Sequence, residues 1–149
     1  MARPERKSLD TPDETHSFPR GHCDVVAIGP FELAKSVLEP GWRWSTCVGP
    51  TAGTERCETS HQGYVLSGHL CLAAADGTEV EAAPGDAFVA PPGHDAWVVG
   101  NEPCVLLTFV AHVPTYALPL VVHAPPAETE ERRAFAHATA NPPLLPRAR

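Results

Sequence analysis

GTERCETSHQGYVLSG (residues 53–68) and PGDAFVAPPGHDAW (residues 84–97) frame the part of the chain whose reading decides the fold. The first stretch leaves a glycine loop, passes Glu55, Cys57 and His61, and enters a hydrophobic strand that stops at Ser67-Gly68. The second turns at Pro84-Gly85, makes a short apolar strand and stops at Pro91-Pro92-Gly93, with His94 directly behind. Between them HLCLAA and TEVEAA face each other across Asp76-Gly77. That dipeptide accepts the positive φ of a tight turn and is the strongest short hairpin signal in the chain.

Working outward, the same punctuation continues. VVAI (25–28), the turn Gly29-Pro30, FELAKSVL (31–38) and the turn Glu39-Pro40-Gly41 precede the first stretch. In WRWSTCV (42–48), Trp42, Trp44 and Thr46 alternate with Arg43, Ser45 and Cys47, and this period of two predicts a strand. After the second stretch come AWVVG, the turn Asn101-Glu102-Pro103 and CVLLTFVA (104–111). This last run is the most hydrophobic, and it predicts a strand buried on both faces. Many short strands separated by Gly/Pro turns predict an all-β sandwich or barrel.

Residues 1–23 are charged, rich in proline and without hydrophobic period, which predicts a disordered arm. The barrel domain is expected over 24–112. A C-terminal extension follows over 113–149, with an edge strand at 117–124, a short helix at 128–137 and a loose end.

The bulk numbers narrow the function. A length of 149 residues suits one domain, and 17 prolines assign much of it to turns. A net charge of −7 with only 11 basic residues leaves no electrostatic footprint for nucleic acid. No apolar run approaches the roughly 18 residues of a membrane span, and the charged N-terminus has no apolar stretch of a signal peptide behind it. Five cysteines, an odd number without tight spacing, argue against a secreted disulfide framework. A cytoplasmic protein with reduced thiols is expected.

Glu55, Cys57 and His61 share parity, so an unbroken strand from residue 55 places them on one face. Thiolate, imidazole and carboxylate are the usual ligands of zinc or iron. The alternative is a rim cysteine beside a surface histidine, with Glu55 in the solvated loop. His94 shares parity with Ala96 and Val98, and points either into the barrel mouth with them or to solvent as a turn residue. Trp42, Trp44, Tyr64 and Trp97 are candidates to line a ligand pocket, or else belong to the core. Arg43 and Arg56 could hold a ligand carboxylate or only cover the surface.

Residues 53–101 resemble the two-motif core of the cupin superfamily. Gly53 and Gly68 match the ends of its first motif, while Gly85, Asp86, Pro91 and Gly93 match its second, with Asn101 one place late for the motif's Asn. The ligand positions depart from the family. Glu55 and Cys57 stand where it has two histidines, His61 where it has a glutamate, and Ala96 where it has the second-motif histidine, with His94 two residues earlier. The resemblance implies a cupin-type double-stranded β-helix, a jelly-roll barrel that is commonly a homodimer. It also implies a re-ligated site of Glu55, Cys57, His61 and His94 for a divalent metal, zinc or iron, with a small organic ligand in the barrel. Two functions follow from it: a metal-dependent enzyme, or a non-catalytic binding or redox-sensing module without metal.

Overall fold

The computed structural model describes residues 3–111. Nine strands follow in order: β1 (Glu14–Phe18), β2 (Gly21–Ile28), β3 (Phe31–Leu38), β4 (His61–Ser67), β5 (His69–Ala73), β6 (Glu79–Ala82), β7 (Ala87–Ala90), β8 (Asp95–Val99) and β9 (Cys104–Ala111). Two single helical turns, α1 (Trp44–Cys47) and α2 (Gly49–Ala52), lie between β3 and β4. The strands form a six-stranded sheet, β1-β2-β3-β9-β4-β7, and a three-stranded sheet, β6-β5-β8. All their pairings are antiparallel. The fold is all-β, as the strand spacing and turn signals predict, and it is the double-stranded β-helix that the resemblance implies.

One apolar cluster fills the described domain. Leu38, Val65 and Leu106 come from the large sheet, Leu70, Leu72 and Val98 from the small one, and Trp42 from the segment ahead of α1. Alternation along each strand does the sorting. Val65 is fully buried, whereas its neighbours Tyr64 and Leu66 stand 39% and 45% exposed on the opposite face. The chain changes sheets at Gly68, between β4 and β5. Its φ of +71° and its contact with the Pro103 carbonyl leave no room for a side chain.

Three local expectations differ from the structure. The segment 42–48 is not a strand; residues 44–47 close a helical turn instead. The cause lies far away in the chain: the Asp95 carboxylate accepts the Ser45 N–H at 3.0 Å and so occupies one of the free donors at the start of α1. Part of the expected N-terminal arm is ordered, since Glu14–Phe18 pairs with β2. Turn and edge explain why the pattern was silent: Arg20 adopts φ +61° without a glycine, and β1 is an exposed edge strand with no apolar alternation. Finally, β9 is not buried on both faces. Cys104 and Leu106 are buried, but Phe109 and Val110 are 44% and 40% exposed. The strand and helix expected at 117–124 and 128–137 lie outside the described residues.

Candidate metal centre and cavity

Among the described residues, the side-chain donor atoms of Cys57, His61 and His94 lie within 4.8 Å of one another, a group that could hold a metal ion. Each arrives by a different route. His61 opens β4. Cys57 is set four residues before it by an isolated bridge to His94: the Cys57 N–H donates to the His94 carbonyl at 2.9 Å, and the Gly93 N–H donates to the Cys57 carbonyl at 2.7 Å. Gly93, at φ +90°, makes the turn that delivers His94 to this bridge. Arg56 steadies the same junction by donating to the carbonyls of Ala74 and Gly93, both at 3.3 Å.

Cys57 Sγ and His61 Nε2 are 3.3 Å apart, and the His61 and His94 rings meet edge to face at 5.5 Å between centroids. Tetrahedral zinc with thiolate and imidazole bonds of about 2.3 and 2.0 Å separates neighbouring donors by about 3.5 Å, so this donor set fits such an ion. His94 Nδ1 is 2.7 Å from the Pro91 carbonyl. A carbonyl only accepts, so Nδ1 carries the proton and the Nε2 lone pair is left for a ligand, the arrangement that orients metal-binding histidines.

Burial favours the neutral forms of Cys57 and His61. Burial pushes the Cys57 thiol above its ordinary value, aided by Glu58 and opposed by hydrogen bonding to Thr59. Burial, with the neighbouring His94, pushes His61 below its own. Thiolate formation there needs a compensating cation. The Cys104 thiol, fully buried among apolar atoms, is pushed up to about 11 and serves as core.

Glu55 is not part of the group. Residues 54–56 are bends and β4 begins only at His61, so the parity expected to align Glu55 with Cys57 and His61 does not extend that far; its side chain is exposed. Cys57 and His61 meet through the bridge to His94, not through a continuous strand.

A cavity of about 330 Å³ adjoins His61 and His94. Trp42 and Trp44 line it, as do Phe18, Phe88 and Leu106; Tyr64 and Trp97 do not. Tyr64 faces outward beside buried Val65. Trp97 has the opposite parity to His94 and lies under the Arg43 guanidinium, 4.6 Å from its ring centre. That parity was visible in the sequence, as was the inward phase of Phe88 with Ala90. The contributions of Phe18, Cys23 and Ser36 were hidden, because nothing local indicates that β1, β2 and β3 close one wall. A larger cleft of about 440 Å³ runs along the edge strands β6 and β7, between exposed Val80 and Val89, and carries Glu81 and Asp86.

Behind the site, buried Asp95 is saturated. Its carboxylate accepts Arg43 Nε at 2.7 Å, Ser45 Oγ at 2.9 Å, the Ser45 N–H at 3.0 Å and the Ala96 N–H at 2.9 Å. Burial alone would raise its pKa, but Arg43 and these hydrogen bonds outweigh it and hold the carboxyl below its usual range.

Residues 46–110 match the family model described as a cupin domain. No curated protein matches the chain by sequence. Among solved structures, the polyketide cyclase RemF from Streptomyces resistomycificus is similar over 91% of this chain and 94% of its own, with 17% identity and a TM-score of 0.53. A sugar phosphate isomerase of a cupin superfamily from Silicibacter pomeroyi is similar over 74% of this chain and 77% of its own, with 20% identity and a TM-score of 0.51. The oxalate decarboxylase of Lactobacillus farciminis aligns with 64% of this chain at 17% identity and a TM-score of 0.48, and the chain spans only 30% of that protein. At such identities the likeness extends to the fold alone.

Proposed function

This chain carries a cupin domain, and we propose that the domain holds a divalent metal through Cys57, His61 and His94 and binds a small organic molecule in the adjoining cavity, as a metal-dependent enzyme. The observation that carries this reading is the convergence of one thiol and two imidazoles within 4.8 Å, with His94 already oriented by Pro91. Three protein ligands leave a coordination position for substrate. A thiolate among the ligands favours zinc or iron over harder ions. Such an ion supplies a Lewis acid at the mouth of the cavity. The protein's own contribution is to fix Cys57 and His94 by backbone pairing and to set a largely apolar wall beside them.

A redox-sensing Cys57 has less support. The residue is 3% exposed and burial raises its pKa, whereas sensor thiols are accessible and acidic. The proposal extends to a homodimer in the cytoplasm. Tyr64, Leu66 and Phe109 form an exposed apolar strip on the outer face of β4 and β9 that a second copy would cover, and all five thiols are free.

Metal content of protein purified without chelator tests the reading. Near-stoichiometric zinc or iron is expected in wild type and none in Cys57→Ala or His61→Ala. Wild-type protein that stays metal-free after growth in supplemented medium overturns it.

A further inference from the structure

We propose that the cavity takes a neutral, ring-bearing organic molecule, with one oxygen directed at the Cys57–His61–His94 group and any further polar group uncharged. Only the placement of that oxygen rests on the metal reading above; the rest stands on the cavity wall.

None of the seventeen residues lining the cavity is Asp, Glu, Lys or Arg. The two arginines nearest the site are committed elsewhere, Arg43 to Asp95 and the Trp97 ring, and Arg56 to two backbone carbonyls. A phosphate or carboxylate in this space away from the Cys57–His61–His94 group would meet no Asp-, Glu-, Lys- or Arg-borne counter-charge, and its desolvation would be costly. Flat apolar faces come from Phe18, Trp42, Trp44 and Phe88, which favour a ring by stacking and edge contacts. At about 330 Å³ the space is near the lower limit of small-molecule sites, roughly 300 Å³, so the ligand is small.

Polar groups other than histidine are present on the wall, and they are neutral: Cys23, Ser36 and Thr108. Cys23 and Ser36 pair across β2 and β3. Ser36 stands opposite Leu106, and Leu106 opposite Val65, four residues along β4 from His61. Four strand residues span about 13 Å. The cavity therefore has the Ser36 hydroxyl and the Cys23 thiol well away from the metal group, with the Thr108 hydroxyl nearer, opposite Gly63, and these suit a hydroxyl or carbonyl and not an anion.

Calorimetric titration of the full-length protein, with and without zinc, separates the possibilities with 2-naphthol, 2-naphthyl phosphate and glucose 6-phosphate as probes; the phosphates are ranked in the zinc-free protein, because zinc would itself supply a counter-charge. Naphthol is expected to bind at least tenfold more tightly than naphthyl phosphate, and the sugar phosphate not to bind. Ser36→Arg, which puts a cation into the wall, is expected to narrow or reverse the first ratio at unchanged metal content. The wild-type ranking decides even if that variant does not fold. Equal or tighter binding of either phosphate, or no binding of naphthol, overturns the proposal. Naphthol binding by wild-type protein that takes up no zinc would sink the metal reading and leave this one standing.

Discussion

His94 and Asp95 are adjacent, each is 4% exposed, and they meet opposite chemical fates. Asp95 faces the turn at 43–47 and is saturated by Arg43, Ser45 and Ala96. His94 faces inward with Ala96, has one ring nitrogen satisfied by Pro91 and turns the other toward Cys57 and His61. Burial alone thus distinguishes nothing. A buried polar group whose partners are all protein atoms holds structure, while one with a lone pair to spare beside other such groups has capacity for a ligand.

That contrast breaks first at Cys57. Cys57→Ala is expected to lower metal affinity by more than about 100-fold, beyond the 10–100-fold usual for residues that only support a ligand. Its metal-free stability should change little. Equilibrium dialysis with zinc, beside urea denaturation of the metal-free protein, measures both. The mirror image is Asp95→Ala, which strands the Ser45 and Ala96 donors. It is expected to cost on the order of 2–3 kcal/mol in the same denaturation, with metal stoichiometry retained in the folded protein. If either variant produced the other's phenotype, the division between the two residues would fail.

Gly93→Ala tests the turn between Cys57's partner and the rest of the second stretch. A side chain at φ +90° costs about 1–2 kcal/mol of strain, and part of it is expected to appear as weaker zinc binding because His94 is re-aimed. The smallest effect concerns pH. The Asp95 pKa is depressed by folding, so its stabilisation is complete above the unfolded carboxyl value of about 3.9 and is lost as pH falls through the lower folded value. Metal-free wild type should therefore lose more stability than Asp95→Asn between pH 5 and the acid limit of roughly pH 2–3. Parallel acid sensitivity in the two proteins would mean that the Arg43–Asp95 pair, half open to solvent on the arginine side, contributes nothing measurable.

Legibility in the sequence followed the range of the interaction responsible. The hairpin across Asp76-Gly77 and the strands that became β4, β7 and β8 were readable because turn chemistry and alternation act within a few residues. The shared parity of His94 and Ala96 was visible for the same reason, but alternation alone leaves open whether it faces the barrel or solvent, and the structure shows both buried. For the pocket candidates Trp97 and Tyr64 alternation spoke against that role, since Trp97 has the opposite parity to His94 and Tyr64 the opposite phase to buried Val65. The helical turn at 44–47 was unreadable, since the acceptor that caps it comes from Asp95, fifty residues on.

By itself, then, the sequence determined the class of fold and the glycine and proline turns that separate the barrel strands, because turn chemistry and side-chain alternation are local properties. The tertiary structure decided which phases meet. It brought Cys57 to His94 through one backbone bridge, left Glu55 outside and closed, with β1, β2 and β3, a wall that no Asp, Glu, Lys or Arg lines. Those outcomes depend on sheet closure between segments dozens of residues apart, and no short-range pattern encodes the distance between two side chains across a barrel.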